Sequence, residues 1–288
     1  MKTDLTFAET AERSIMAKYR RKIFTPFVRG INEFKMIEDG DKIAVCLSGG
    51  KDSMLLAKCM QELKKHNKIN FELKFLVMDP GYDKENLKKI KDNAKKLNVP
   101  ITVFKSDIFA VVEIFKQNPC YMCARMRRGF LYRKAQELGC NKIALGHHFD
   151  DVIETVLISM FYGGEFKTMV PKVNSKNFAG MELIRPLYYV REKSIISWAK
   201  SNNLEFIACA CKLTKQQAAG QEGKRKEIKR LIEQLREKYF NIDTNILKST
   251  MNVNTDTLLG YRNDDEEHSF LEIYERKRGR NKKREGPV

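Results

Sequence analysis

Long apolar runs are missing from this chain of 288 residues. No window holds about 18 consecutive apolar residues, which excludes a helix that crosses a membrane. The first residues, Met1-Lys-Thr-Asp-Leu5, lack the basic and then apolar pattern of a secretory signal, so we expect a cytoplasmic protein. Apolar residues still make up 42% of the chain, enough for a sizeable core, and a disordered chain is therefore excluded.

A disulfide scaffold and a balanced charge are missing as well. The seven cysteines are odd in number and lie in a large chain, so they favour metal or thiol chemistry in a reducing compartment. Positive charge dominates, because 54 Lys and Arg stand against 37 Asp and Glu and leave a net charge of +17. Phosphates attract Lys and Arg at long range, so we expect a polyanion as partner.

Apolar runs alternate with amphipathic segments in the first two thirds of the chain. This pattern predicts an α/β fold with a doubly wound parallel sheet and helices on both faces. The predicted strands are 42–47, 71–78, 101–104 and 142–145, with a further strand over 183–187. The predicted helices are 53–65, 85–97, 108–117, 122–138, 150–162, 191–202 with Trp198 on its apolar face, 218–239 and 242–252. One or two basic helices, interrupted near Pro26, are predicted within 9–38.

Composition divides the chain into four predicted segments. These are a basic helical extension over 1–38, a central α/β domain with the cysteines over 39–215, C-terminal helices over 216–260 and a basic tail over 261–288. The stretch 275–288 holds seven Lys or Arg and two Glu, with almost no apolar residues. We expect the tail to be disordered and treat it as a candidate RNA contact.

The turn Ser48-Gly-Gly-Lys-Asp-Ser53 directly follows a predicted buried strand and directly precedes a helix. Glycines allow backbone N–H groups to approach a phosphate closely, and a helix N-terminus adds partial positive charge. Lys51 adds a full charge, and the serine hydroxyls can donate hydrogen bonds. The turn therefore predicts a phosphate site, although it is not the Walker form. The alternative is an ordinary turn that caps a helix.

Two cysteine pairs stand apart from the other cysteines. Cys120 and Cys123 lie at a helix start, where the helix dipole and neighbouring arginines favour thiolate, so they can bind one metal centre. The alternatives are two cysteines without metal or a redox pair. Cys209 and Cys211 follow 86 residues or more later, and one of them could complete a set of three ligands. Cys46, Cys59 and Cys140 fit the role of small buried hydrophobes better.

Polar residues follow directly on three predicted strands. They are Ser48, Asp79 and the sequence Gly146-His147-His148-Phe149-Asp150-Asp151. Ligands bind at the carboxyl ends of the strands in open α/β sheets, so these residues are expected at one rim. Helix capping by the aspartates is the plainer alternative.

The turn over 48–53 resembles the signature of the PP-loop (N-type) ATP pyrophosphatases, whose fold is of the adenine nucleotide alpha-hydrolase type. From about Ala11 to Asn254 the chain further resembles the TtcA-like tRNA 2-thiocytidine synthetases and their 2-thiouridine relatives. The matching pieces are 34–42, 46–53, Cys120-x-x-Cys123-x-Arg-x-Arg-Arg-Gly-x-Leu-Tyr132, 144–148, Phe161-Tyr-Gly-Gly164, Arg185-Pro-Leu187 and Arg191-Glu-Lys193.

The resemblance implies ATP, Mg²⁺ and a [4Fe-4S] cluster as cofactors. The cluster ligands carried over are Cys120, Cys123 and Cys209, with Cys211 as the alternative third ligand because the late cysteine spacing departs from the family's CxxC. ATP would be bound by Ser48, Gly49, Gly50, Lys51, Asp52, Ser53, Asp79, Arg127, Gly146 and His147. Lys51 would neutralise phosphate charge, and Asp52 and Asp151 would hold Mg²⁺. Asp150 or Asp151 is the predicted proton acceptor, and Arg127 or Arg128 would contact phosphate or RNA.

The implied reaction is ATP-dependent thiolation of tRNA. The C2 oxygen of a pyrimidine, cytidine 32 in the family, is adenylated and replaced by sulfur delivered through the cluster. The implied partners are tRNA and a sulfur donor, a cysteine desulfurase persulfide, and the chain could form a homodimer. The candidate tRNA contacts are Lys18, Arg20, Arg21, Lys22, the run Lys224-Arg225-Lys226, Lys229, Arg230 and 276–284.

Three other functions stay open at this point. One is a thiolase that forms 2-thiouridine. Another is an RNA or nucleotide ligase or amidotransferase in which the cysteines hold structural zinc. The third is a non-catalytic RNA-binding or redox protein.

Overall fold

The computed structural model describes residues 5–66, 68–106, 108, 119–207, 223–263, 266–272 and 274–276, without the side chains of 119–124. The chain divides into two units, Met1–Leu231 and Ile232–Val288. The predicted helix over 108–117 and the late cysteines lie outside the described residues, apart from Ile108. The division into four segments stays a prediction.

A six-stranded sheet forms the centre of the first unit. Its strands are β1 (Lys42–Leu47), β2 (Glu72–Asp79), β3 (Ile101–Lys105), β4 (Lys142–Ala144), β5 (Lys172–Asn174) and β6 (Glu182–Ile184). The order is β3-β2-β1-β4-β6-β5, and all neighbours are parallel except β5, which pairs antiparallel with β6. The predicted doubly wound sheet is confirmed, whereas the edge strand β5 was not predicted.

Helices follow and flank the strands. They are α1 (Phe7–Met16), α2 (Thr25–Glu33), α3 (Lys51–Lys65), α4 (Lys84–Lys96), α5 (Pro119–Glu137), α6 (Phe149–Gly163), α7 (Glu192–Ser201), α8 (Lys224–Lys238) and α9 (Ile242–Met251), with a π-helical turn at Arg20–Phe24 and a 3₁₀ turn at Thr255–Thr257. Within the described ranges no helix is both long and apolar enough to span a membrane.

The sheet is buried on both faces. Ala44 and Cys46 of β1 pack with Tyr132 and Ala135 of α5 in one apolar cluster. The intervening residues of β1 are also buried, as is most of α3, which packs on β1 and β2. Because side chains alternate across a strand, β1 needs apolar residues at nearly every position, which matches its sequence. The sheet therefore presents its strand ends, and not its faces, to ligands.

The N-terminal helices pack on the same unit. Pro26 lies in the first turn of α2, where a missing N–H costs nothing, and the helical break comes earlier, at Ala17–Tyr19. Trp198 of α7 is fully buried, as predicted, and its Nε1 donates to the carbonyl of Ala11 at 3.5 Å. Lys58 of α3 is fully buried too, and its Nζ lies 2.5 Å from Oε1 of Glu12 on α1.

The second unit contains a short hairpin. Strands β7 (Gly260–Asn263) and β8 (Glu266–Ser269) pair antiparallel, and the ring centroids of Tyr261 and His268 are 4.5 Å apart. Residues of the segment 261–288, which was predicted to be a disordered tail, thus take part in two paired strands. The prediction of disorder rested on the charge of this segment. The contact between the rings of Tyr261 and His268 on opposite strands favours a hairpin. The prediction for residues 277–288 lies outside the described residues.

Candidate active site

The turn between β1 and α3 has a conformation that requires glycine. Gly49 has a φ of +82°, and a Cβ there would lie 2.5 Å from Cγ1 of Ile90 and 2.9 Å from Cδ1 of Ile207. Backbone conformation and packing therefore both exclude a side chain at this position. Gly146, after β4, is similarly confined, because its Cβ would lie 3.0 Å from the amide nitrogen of Ser53.

Hydrogen bonds between the two serines hold the turn in shape. The Oγ of Ser53 donates to the carbonyl of Gly50 at 3.0 Å and accepts from the amide of Ser48 at 3.2 Å. The amide of Gly50 donates to Oγ of Ser48 at 3.4 Å. No side chain of the described residues caps α3, so the amides of its first turn remain available to an anion.

Lys51, in the first turn of α3, lies between two carboxylates. Its Nζ is 3.2 Å from Oδ2 of Asp52 and 3.1 Å from Oε1 of Glu192. Burial alone would lower the pKa of Lys51, but these two carboxylates outweigh it and raise the pKa. Lys51 therefore carries a positive charge at the helix N-terminus at neutral pH.

A cavity of about 320 Å³ lies beside this turn. Its lining residues are Cys46, Leu47, Ser48, Asp52, Ser53, Met78, Tyr82, Arg127, Arg128, Leu131, Leu145, Gly146, His147 and Asp151. The strand order reverses between β1 and β4, which is the point where open α/β sheets bind ligands. The cavity brings together seven of the predicted site residues, namely Ser48, Asp52, Ser53, Arg127, Gly146, His147 and Asp151.

Two neighbouring histidines differ in their surroundings. Burial and then the charge of Arg185 lower the pKa of His147 to about 4, so its imidazole is neutral at physiological pH. His148 caps α6: its Nδ1 accepts from the amide of Asp151 at 3.4 Å, and its own amide donates to Oδ2 of Asp151 at 3.0 Å. Burial would raise the pKa of Asp151, but His148, His147 and Arg225 together outweigh this effect and the pKa is lowered. The cavity thus holds a neutral base beside a carboxylate.

Asp150 and Asp79 lie apart from the lining of this cavity. Asp150 is buried, and its Oδ2 accepts from the amide of Glu192 at 2.7 Å, so it fixes the start of α7. Oδ1 of Asp79 accepts from the amides of Gly81 and Tyr82 at 3.0 and 2.8 Å, so it shapes the turn after β2. Tyr82, and not Asp79, lines the cavity at this point.

Charged residues of α7 and α8 complete the site and were not predicted as part of it. Oε2 of Glu192 accepts a hydrogen bond from Nζ of Lys229 at 2.5 Å. Nη1 of Arg225 lies 2.8 Å from Oδ1 of Asp151, and its Nε lies 3.8 Å from Glu154. Burial raises the pKa of Glu154 to about 7, against the charge of Arg225. The sequence signal for Glu192 is the motif Arg191-Glu-Lys193, for which no role in the site was predicted.

The contact of the basic run of α8 with RNA stays a prediction, although part of the run is engaged within the protein. Two of its cations, Arg225 and Lys229, are engaged with carboxylates of the site. Nζ of Lys224 lies 4.9 Å from the ring centroid of Tyr162. Lys18, Arg20, Arg21 and Lys22 are exposed, and their contact with RNA stays a prediction.

The cysteines fall into two groups. Cys46, Cys59 and Cys140 are buried free thiols, as predicted, and burial raises the pKa of each. Cys120 and Cys123 lie in the first turns of α5, and Cys209 and Cys211 lie outside the described residues. Among the described side chains no group of three His, Cys, Asp or Glu could hold a metal ion.

Comparison with known proteins gives matches over most of the chain. The family model described as PP-loop domain matches residues 23–216. A tRNA-cytidine(32) 2-sulfurtransferase of Neisseria meningitidis serogroup C is 44% identical over 185 residues, which cover 62% of this chain and 57% of that protein. The tRNA-cytidine(32) 2-sulfurtransferase of Ralstonia pickettii is 41% identical over 231 residues, which cover 78% of this chain and 70% of that protein. The matched region thus spans little more than half the length of the Neisseria relative.

A solved structure shares the fold. The U34-tRNA thiolase NcsA from Methanococcus maripaludis, determined with its [4Fe-4S] cluster, aligns with a TM-score of 0.59. The alignment covers 88% of this chain and 82% of that protein, at 19% sequence identity.

Proposed function

The chain belongs to the PP-loop family, together with the tRNA-cytidine(32) 2-sulfurtransferases, and from this we propose that it thiolates tRNA at the C2 position of a cytidine with ATP. The observation that carries the proposal is the composition of the cavity. The cavity is lined both by Ser48 and Ser53 of the turn after β1 and by Arg127 of α5. The CxxC pair lies on the same helix as Arg127, with Cys123 four residues before it.

ATP fits the cavity for physical reasons. The uncapped first turn of α3, the glycine backbone and the charge of Lys51 form an anion site beside the serines. Met78 and Tyr82 supply an apolar wall for the adenosine. Asp52 and Asp151 would hold Mg²⁺: both line the cavity, and Oδ1 of Asp52 is buried without a hydrogen bond from the described residues.

The first chemical step makes the base oxygen a leaving group. The C2 oxygen of the cytidine attacks the α-phosphate, a bond to AMP forms, and pyrophosphate leaves. Lys51 stabilises the negative charge that builds on the departing phosphates. Arg127 and Arg128, which line the same cavity, are the proposed cations for the α-phosphate and the RNA backbone.

The second step places sulfur on C2 and releases AMP. A [4Fe-4S] cluster held by Cys120, Cys123 and Cys209, with Cys211 as the alternative, would supply the sulfur from a donor such as a desulfurase persulfide. The neutral imidazole of His147 offers a hydrogen-bond acceptor in the same cavity, but a pKa of about 4 makes it a weak proton acceptor. Asp151 is the other candidate proton acceptor. Its carboxylate is engaged with Arg225 and His148, so we assign it to cation binding and not to proton transfer. Dimer formation and a cytoplasmic location stay predictions.

Mass spectrometry of tRNA nucleosides tests the function. A strain without the gene should lack 2-thiocytidine, and the wild-type chain should restore it, whereas Lys51→Ala should not. Loss of 2-thiouridine instead would favour the other thiolase, and an unchanged nucleoside profile would refute thiolation.

Cysteine variants test the cluster. Cys120→Ala or Cys123→Ala should abolish thiolation. Each should also remove the brown colour of anaerobically purified protein, which absorbs at about 400 nm, and should leave ATP binding nearly intact. The matched control is Cys140→Ala, which changes a buried thiol outside the cavity lining and should keep both. A colourless, zinc-containing protein with full activity would contradict the cluster.

A further inference from the structure

A second cavity, of about 440 Å³, opens next to the first. It lies between α5 and the segment 175–178, and Arg125, Arg128, Tyr132, Ser175, Asn177 and Phe178 line it. Arg128 lines both cavities. A chain-like ligand in the first cavity could therefore continue into the second along this arginine.

The second cavity is positively charged. Among its described lining residues are two guanidinium groups and no carboxylate. Arg185, at the end of β6, adds a third cation nearby: burial, and then the charge of Arg128, lower its pKa to about 10. Nη1 of Arg185 donates to the carbonyl of Val170 at 2.5 Å, while its Nε is buried without a hydrogen-bond partner among the described residues. Such a cluster favours an anion over a metal ion or a basic segment.

The walls suit a sugar and a phosphate. The rings of Tyr132 and Phe178 stack at 5.1 Å between centroids and 19° between planes, which makes a rigid apolar side. Asn177 is exposed and Ser175 half-buried, so both can offer neutral donors. A Cβ on Gly129 of α5, another lining residue, would meet nothing within 4 Å, so the space beside it is open.

We propose that the second cavity binds the ribose–phosphate backbone of the RNA beside the nucleotide in the first cavity, with Arg125 and Arg128 as phosphate contacts. The inference rests on the proposed function, because it takes RNA as the substrate. Phosphate contacts position a nucleic acid without reading its bases. The cavity would therefore set which nucleotide reaches the first cavity.

Salt-dependent binding tests the site. The probe is a fluorescent, unmodified tRNA transcript with cytidine at position 32, titrated with the full chain without ATP. From about 50 to about 200 mM KCl, Arg125→Gln should weaken binding roughly threefold to tenfold and reduce the salt slope by about 0.7 to 0.9. Arg125→Lys should restore the slope, and Asn177→Asp should weaken binding by charge repulsion.

The matched control is Arg133→Gln, on the same helix. Arg133 is exposed, its guanidinium lies 5.9 Å from the ring centroid of Phe130, and it lines neither cavity. It should change tRNA binding less than about twofold, and all variants should bind ATP like the wild type. Equal losses in Arg125→Gln and Arg133→Gln, or no loss in Asn177→Asp, would overturn the second cavity as a binding site. A wild-type chain that binds no tRNA would overturn the proposed function itself.

Discussion

Lys51 and Glu192 come from distant parts of the sequence, yet their charged atoms lie 3.1 Å apart. Glu192 in turn binds Lys229, and Asp150 fixes the backbone from which Glu192 projects. Burial would raise the pKa of Glu192, but the two lysines outweigh it and lower the pKa to about 2. A carboxylate that is ionised at all working pH values thus competes with a triphosphate for Lys51.

Changes at Glu192 and at its second partner, Lys229, should alter ATP affinity in opposite directions. Glu192→Gln removes the competing charge, so ATP binding without tRNA should tighten about threefold to tenfold. Lys229→Gln removes the second cation that binds Glu192. Glu192 would then hold Lys51 more tightly, so ATP binding should weaken by a similar factor. Calorimetric titration measures both. Weaker binding in both variants would show instead that Glu192 mainly positions Lys51.

Glu154 should make stability depend on pH near neutrality. Its pKa is raised from 4.5 to about 7 by burial, so between these values the folded chain binds a proton that the unfolded chain has lost. The free energy of unfolding therefore falls as pH rises through this window. Glu154→Gln should flatten the dependence and stabilise the protein by roughly 1 kcal/mol above the window.

Urea unfolding at both ends of the window measures the effect of Glu154. The control is Glu85→Gln, which changes an exposed glutamate on α4. Parallel stability profiles for the wild type and Glu154→Gln would be inconsistent with a raised pKa at this position.

At the level of elements, the sequence predicted the strands and helices that carry strong periodicity. The buried strands β1 and β2 and helices α3, α4 and α6 lie within a few residues of their predicted bounds. Strand β5 is short, exposed at two of its three residues and antiparallel, so neither an apolar run nor a crossover helix marked it. The ion pairs of Glu192 and Arg225 depend on how α7 and α8 pack, so the motif Arg191-Glu-Lys193 marked Glu192 but could not identify its partners.

Helix α1 depends on a buried ion pair. Nζ of Lys58 also binds Oε1 of Gln61 and the carbonyl of Leu97, each at 2.8 Å, so the ammonium is fully enclosed. Glu12→Gln would leave this buried charge without its carboxylate and should destabilise the protein by about 3 kcal/mol. Thermal unfolding measures it, with the exposed Arg13→Gln on the same helix as control. Equal shifts in the two variants would refute the role of the pair.

For the molecule as a whole, charge is the dominant feature. The net charge of +17 is spread over helices, the site and the C-terminal stretch. Some of these cations are engaged with carboxylates, as in Arg225 and Lys229, and others such as those of α4 are exposed. Net charge alone therefore does not locate the RNA, and variants with equal charge changes are needed.

The basic tail should contribute phosphate contacts to tRNA binding. The triple variant Lys282→Gln, Lys283→Gln and Arg284→Gln should lower the salt slope of tRNA binding by about 2. The matched variant Lys88→Gln, Lys91→Gln and Lys95→Gln removes equal charge from exposed positions of α4 and should change the slope by less than about 0.5. An unchanged slope in the tail variant would remove the tail from the interface.

The side chain of Ile207 abuts the glycine that gives the phosphate turn its left-handed bend. Cys209, the first of the late cysteines, follows Ile207 by two positions in the sequence, at most about 7 Å along a fully extended chain. Any displacement of this turn toward Ile207 would therefore bring the backbone of Gly49 against the isoleucine side chain. Exchange of Ile207 for alanine would remove the Cδ1 atom that confines Gly49 on this side and leave Ile90 to confine it.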